Sequence, residues 1–325
     1  MIQYELGIEV DGARVAGSLL LPSGGGRFPC VIIAGGTMSH DRDGALIGHP
    51  LPVPQRDALR RMAIKLGEAG YAVIRWDKRG YGRSGPCPPT SSYTYEVEDL
   101  VAFLDFARRH PAISRVVIAG ESAGAYVACL AARRGHSADA YVFLGALYAD
   151  VEGLLRYNYV RLAEYTERST ANRRWAEENA PLSLAIGENF DGIIDAAGQG
   201  REYYPLKVNG REWRFQLGKL REEMEFPPHQ AFHFIAGPSL VLQGDADMNV
   251  CPADAMRIEA ALKGAGNNEV ERVMIPGADH SFQVAPEDED TRIRERHSLA
   301  SFLRPYKDEF YEAMLEWLEK TMTRV

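Results

Sequence analysis

Six short apolar runs punctuate this chain, each closed by a glycine or an aspartate, and nothing else limits its fold as much. They are CVIIAGG (30–36), YAVIRWD (71–77), RVVIAG (115–120), AYVFLGA (140–146), SLVLQGD (239–245) and VERVMIPG (270–277), mostly β-branched. Runs without polar alternation suit strands buried on both faces, the condition of a parallel sheet. Helical patterns over 56–69, 95–109, 123–134, 253–263 and 306–322 are interspersed with them, and that alternation predicts a doubly wound, mostly parallel α/β sheet. Residues 3–21 alternate about Asp11-Gly12, which predicts an antiparallel hairpin at the sheet edge. Ligands of open α/β sheets bind beyond the carboxyl ends of the strands, so chemistry is to be sought in those loops.

Roughly ninety residues separate the run ending at Ala146 from the one starting at Ser239, far more than a connection inside a compact domain uses. Their first third, from Val151 to Ala180, reads mainly as helix, and YPLKVNGREWRFQL reads as two short strands about an Asn209-Gly210 turn. The expected organisation is a core over 1–149, an inserted mixed, mainly helical cap over 150–236, and the rest of the core over 237–325. Aromatics are dense in the insert, with Tyr157, Tyr159, Tyr165, Trp175, Tyr203, Tyr204, Trp213, Phe215, Phe232 and Phe234 among them; they read mostly as the cap's own small core, the remainder as a lining for a pocket. The charged run 286–296, PEDEDTRIRER, reads as a solvated loop or helix face.

Composition narrows the function classes. A chain of 325 residues with 46% hydrophobic content buries a sizeable core, and a formal net charge of −8 argues against nucleic acid or an anionic membrane as partner. The start lacks a secretory pattern and no segment has eighteen consecutive apolar residues, so a soluble cytoplasmic protein without membrane insertion is expected. Cys30, Cys87, Cys129 and Cys251 are scattered without a CxxC spacing and read as reduced thiols. DADMNV begins like a calcium loop, but Val250 stands where glycine is needed and Met256 where a bidentate acid is needed. DRDG (41–44) is too short for a metal site, and no phosphate-cradling glycine motif occurs. No metal and no cofactor are expected.

The chemistry-bearing motif is Gly120-Glu121-Ser122-Ala123-Gly124, which follows RVVIA and opens the helical pattern AYVACLAARRG. Its glycines let a strand-to-helix turn close while lifting the serine hydroxyl clear of the sheet. A serine becomes nucleophilic when a histidine takes its proton, and that histidine must be oriented by a carboxylate. Asp245 and Asp247 lie just past one later strand, and His280 just past the next.

These residues, in the order Ser, Asp, His, resemble an α/β-hydrolase of the esterase and lipase group over nearly all of the chain outside the cap. The resemblance implies Ser122 as nucleophile, His280 as base and Asp247, three residues after the strand-end glycine, as acid, with Asp245 as the alternative. Residues 32–44, IIAGGTMSHDRDG, resemble the family's oxyanion loop, and WDKRGYGRSG (76–85) resembles a segment that is usually structural. Ala34 stands where a histidine commonly opens that loop, and Ala125 where a glycine often follows the elbow. The implied oxyanion donors are the amides of Gly36, with Thr37 as alternative, and Ala123.

The activity so implied is hydrolysis of small to medium carboxylic esters through an acyl-enzyme, with a small-molecule ester, and a second copy of the chain, as candidate partners. A thioesterase, acyltransferase, amidase or peptidase using the same three residues is the alternative, and a non-catalytic ligand-binding homologue the third reading. Dehalogenases and epoxide hydrolases of this fold place aspartate where Ser122 stands.

Overall fold

The computed structural model describes residues 1–38, 40–46 and 55–322. Ser39, inside the segment read as an oxyanion loop, lies outside the described residues, as do 47–54 and 323–325. The chain opens with a hairpin, β1 (Ile2–Val10) and β2 (Ala13–Leu21), registered from Ile2 opposite Leu21 to Val10 opposite Ala13. Asp11 and Gly12 at its tip have φ of 48° and 75°, as a two-residue type I′ turn requires.

The first half of the core continues as β3 (Phe28–Ala34), α1 (Ala58–Glu68), β4 (Ala72–Trp76), α2 (Tyr93–Arg109), β5 (Ile113–Glu121), α3 (Ala123–Arg133) and β6 (Ala140–Leu144). An insertion follows: α4 (Val151–Leu155), a π-helical stretch (Arg156–Val160), α5 (Arg161–Glu167), α6 (Thr170–Asn179), α7 (Pro181–Glu188), α8 (Phe190–Gly198), the hairpin β7 (Tyr203–Val208) and β8 (Arg211–Gln216), α9 (Gly218–Glu225) and α10 (Pro228–Ala231). The core closes with β9 (Ser239–Gly244), α11 (Asp254–Gly264), β10 (Val270–Ile275), α12 (Glu289–Ser298) and α13 (Asp308–Met322). Each expected core strand and helix is present, its ends displaced by one or two residues at most.

Eight strands form one sheet in the order β1-β2-β4-β3-β5-β6-β9-β10, antiparallel through β1, β2 and β4 and parallel from β4 onward. The parallel strands are buried on both faces because alternate side chains feed two separate cores. On β3, Cys30, Ile32 and Ala34 join Phe103 of α2 and Val127 of α3 on one side, while Val31 and Ile33 join Leu59 of α1 and Trp317 of α13 on the other. That doubly covered sheet is the α/β-hydrolase arrangement, and it brings the ends of β3, β5, β6, β9 and β10 to one edge. No helix among the described residues is long and apolar enough to cross a membrane.

Two sequence segments prove to be one structural clamp. Arg42, of the DRDG stretch, bonds both carboxylate oxygens of Asp77 at 3.0 and 2.9 Å and the Gly17 carbonyl at 2.7 Å, fastening the loop after β3 to the end of β4 and the middle of β2. Burial alone pushes the Asp77 carboxyl up, but the Arg42 bonds and the Arg83 amide outweigh it and hold the group below its ordinary range. The clamp therefore contributes stability above about pH 4 and loses it as pH falls through the lowered pKa. Asp77→Asn leaves a buried guanidinium half-paired and is expected to cost about 3 kcal/mol, read as a lower urea midpoint at neutral pH. A midpoint unchanged from wild type would contradict it.

The run 286–296 departs from its sequence reading. It is not simply solvated: Glu289–Ser298 is α12, with Ile293 and His297 buried beneath it. Four apart, those two side chains share a face, so the helix docks by one stripe that the surrounding charges mask in the sequence.

Candidate active site

Ser122 occupies the junction of β5 and α3 with φ 54° and ψ −118°, a backbone state that an L-residue adopts only under constraint. The constraint comes from the flanking glycines. A Cβ on Gly124 would lie 2.0 Å from the Ala34 carbonyl oxygen, and one on Gly120 would lie 2.5 Å from the Ala125 Cα. The Ser122 amide donates to the Leu144 carbonyl at 2.8 Å, which fixes the turn to the end of β6.

The loop after β9 carries Asp247, which is 1% exposed. Its Oδ1 accepts from the amides of Asn249 and Val250 at 2.6 and 3.0 Å. Its Oδ2 accepts from Gln243 Nε2 at 2.8 Å and from His280 Nδ1 at 2.7 Å. A carboxylate only accepts, so Nδ1 carries the hydrogen and Nε2 is the ring's lone-pair nitrogen. Burial alone would lower the His280 pKa, but the charge and hydrogen bond of Asp247 outweigh it and hold the imidazole above its ordinary value. Asp245, the alternative acid, is exposed and accepts the Gly277 amide at 2.6 Å instead. The His280 ring lies against Gly145, where an added Cβ would come within 3.0 Å of Nδ1, one residue beyond the Leu144 that holds Ser122.

Ser122 and His280 line the same cavity. The Ser122 hydroxyl makes no hydrogen bond to His280 or to another described residue. In free hydrolases that bond is often long and tightens on the substrate.

Of the expected oxyanion donors, the Gly36 amide faces Glu121, donating to its Oε2 at 3.2 Å. A Cβ on Gly36 would approach that of Ser122 to 3.2 Å, so the loop passes directly beside Ser122. Glu121 is also paired with Arg56, whose Nη1 reaches Ser281 Oγ at 3.2 Å. Burial alone would raise the Glu121 carboxyl, yet Arg56 and His40 hold it well below the ordinary carboxylate range. Behind the loop, Lys78 donates to the Gly36 carbonyl and to Glu96, and Glu96 also receives Lys219 from α9. The insertion is thus tied through two ammonium groups and one carboxylate to the loop above Ser122.

The cavity measures about 350 Å³, within the range of small-molecule sites. The insertion contributes an aliphatic wall, including Leu154, Leu155, Leu182 and Ile186. Of the insert's twelve aromatics only Tyr159 lines it; Ile193, Leu206 and Phe190 show where the insertion's own core lies. Among the described residues no group of three His, Cys, Asp or Glu side chains is placed to hold a metal ion.

A family model described as serine aminopeptidase, S33, matches residues 57–287, more than two thirds of the chain. The chain belongs to this family of α/β-hydrolases. Solved structures of similar fold are Est1E of Butyrivibrio proteoclasticus, 17% identical with a TM-score of 0.58 over 97% of this chain and 99% of that one, and the α/β-hydrolase GrgF of Penicillium sp. sh18, 16% identical with a TM-score of 0.61 over 99% of each. The esterase PF2001 of Pyrococcus furiosus is 17% identical, with a TM-score of 0.57 over 98% of this chain and 91% of that one. A Mycobacterium phage D29 protein provisionally named a non-heme haloperoxidase is 29% identical over 177 residues, 54% of this chain. The chain spans about half the length of that curated relative, 55%. At such identities the solved structures speak for the fold.

The hydrolase has site residues that sequence reasoning passed over. Arg56, Asp279, Arg292, Glu295 and Arg296 all line the cavity. Arg292 and Arg296 had a legible signal, since positions four apart on a helix share a face. Arg56 had none, because its partner Glu121 lies 65 residues away.

Proposed function

We propose that this α/β-hydrolase is a serine esterase acting on small to medium carboxylic esters. The observation that carries the reading is the constrained Ser122 elbow opening into the same cavity as the bonded Asp247–His280 pair. Ser122 Oγ attacks the ester carbonyl while His280 Nε2 takes its proton; Asp247 keeps the proton on Nδ1 and stabilises the imidazolium. The protonated ring then gives its proton to the departing alcohol, leaving an acyl-serine. Water, deprotonated by His280, releases the acid.

The oxyanion lies between the Ala123 amide and the loop at Gly36 and Thr37, each donor worth on the order of 3 kcal/mol. Because Glu121 engages the Gly36 hydrogen, the Thr37 amide is the donor favoured from that loop. Residues 150–236 serve as a cap whose aliphatic wall selects compact substrates over bulk lipid.

The family description raises a peptidase as the rival. An aminopeptidase must hold the ammonium of its substrate with an uncommitted carboxylate, whereas the acids on this cavity already have donors: Glu121 has Arg56, Glu295 has Arg304, Asp279 has the Ser281 and Gln283 amides, and Glu223 has the Tyr93 hydroxyl. A panel of p-nitrophenyl esters beside aminoacyl p-nitroanilides decides between them. The esters should be cleaved at least a hundredfold more efficiently; cleavage confined to the anilides would overturn the ester reading.

A further inference from the structure

The acids lining the cavity are matched with donors, but two of its three arginines are not matched with acids. Arg56 is paired with Glu121. Arg292, from α12, makes no side-chain hydrogen bond or ion pair with a described residue; its Nε is buried without an acceptor, and the exposed carboxylate of Asp288 merely feels its charge. Arg296, one turn further along, donates from Nη2 to the neutral amide oxygen of Asn158 at 2.9 Å, and its Nε is also buried without an acceptor. Glu295, between them in sequence, does not neutralise them because Arg304 holds both its oxygens.

The local field bears the imprint of this imbalance. His297, 6% exposed on the same helix, is held far below its ordinary pKa by burial and then by the charges of Arg296 and Arg161. Arg296 is also felt at His280, on which it acts against protonation. A guanidinium taken partly out of water without a counter-charge is costly. An anion brought by the ligand would remove that cost, and the planar guanidinium fork suits a carboxylate held through two oxygens.

We propose that the substrate of this site is an ester bearing a free carboxylate, bound by Arg292 and Arg296 while its ester carbonyl sits at Ser122. This inference rests on the ester reading above and adds the charge of the substrate to it. The carboxylate belongs either to the acid half, as in the monoester of a dicarboxylic acid, or to the alcohol half, as in an acyl ester of a hydroxybenzoate. In both cases the recognising chemistry is the same. The aliphatic wall of Leu182 and Ile186 then covers the carbon chain between the two ends.

Four probes separate the cases: p-nitrophenyl monoadipate against its methyl-capped diester, and 4-acetoxybenzoate against its methyl ester. At low ionic strength the charged member of at least one pair should have a kcat/KM tenfold or more above its capped twin, with the difference mainly in KM. Arg292→Gln should bring that ratio close to one, Arg292→Lys should keep a substantial part of it, and half-molar salt should shrink it in the wild type. The proposal falls if the capped twin is preferred in both pairs, or if the preference survives Arg292→Gln in a variant whose thermal unfolding matches wild type.

Direct calorimetric titration of wild-type protein with adipate and with dimethyl adipate keeps the two ideas separable. If no ester is cleaved, the esterase reading fails; tighter binding of adipate, lost in Arg292→Gln, then still supports the arginine site, and equal or weaker binding of adipate overturns it.

Discussion

Ser122→Ala is expected to lower ester turnover by about a million-fold and to abolish labelling by a fluorophosphonate, while the protein stays folded. The size of the loss follows from the cooperation of nucleophile and base: without the hydroxyl, His280 has no proton to take, and only the oxyanion amides and substrate binding remain, worth about a thousandfold or more over water. The fold survives because the hydroxyl makes no hydrogen bond to a described residue, and the elbow is held by backbone, through the Ser122 amide on Leu144. Ser122→Gly makes the complementary point. At φ 54° glycine is free of the strain that serine bears, so this equally inactive variant should unfold no earlier than wild type and, if the strain is relieved, later. The two variants are compared by burst kinetics with p-nitrophenyl butyrate and by thermal unfolding. A tenth of wild-type turnover in Ser122→Ala would remove Ser122 from the role of nucleophile.

The architecture was legible in the sequence because its signals are local. A strand buried on both faces is written as an apolar run, an edge hairpin as Asp11-Gly12 between alternating stretches, and the elbow as five consecutive residues. The site was legible only as far as its residues follow strand ends. Asp245 and Asp247 both do, and what separates them is the turn that buries one against Gln243 and His280 while sending the other to the Gly277 amide. The hold of Glu121 on the Gly36 amide spans 85 residues, so the competition for an oxyanion donor had no local trace. Charge misled most at 286–296, where a surface-like composition covers a helix that docks on Ile293 and His297 and lends two guanidinium groups to the cavity.

Asp247→Asn tests the other half of the proposed catalytic machinery through a change in both rate and pH profile. Four donors converge on the Asp247 carboxylate: two backbone amides on Oδ1, and the Gln243 amide and His280 Nδ1 on Oδ2. Asparagine offers only one oxygen. If it keeps the backbone amides, its own NH₂ faces His280, and the ring must present Nδ1 as an acceptor and carry its hydrogen on Nε2. That tautomer cannot take a proton from Ser122, so kcat/KM should fall about ten-thousand-fold. The pH dependence follows from the same contact. The base works when neutral, so activity is lost as pH falls through the His280 pKa. In the wild type burial lowers that pKa but Asp247 raises it further, placing the acidic limb above the ordinary imidazole value of 6.5. In the variant burial remains while the Asp247 carboxylate is gone, with the charges of Glu121 and Arg296 acting in opposite senses, so the residual activity should persist to lower pH than in the wild type. Asp245→Asn, which touches only the Gly277 amide, is the control and should keep the wild-type limb and rate within about threefold. Profiles of kcat/KM measured between about pH 5 and 9 distinguish the three proteins. An unmoved limb in Asp247→Asn, or a collapse of activity in Asp245→Asn, would transfer the acid's role away from Asp247.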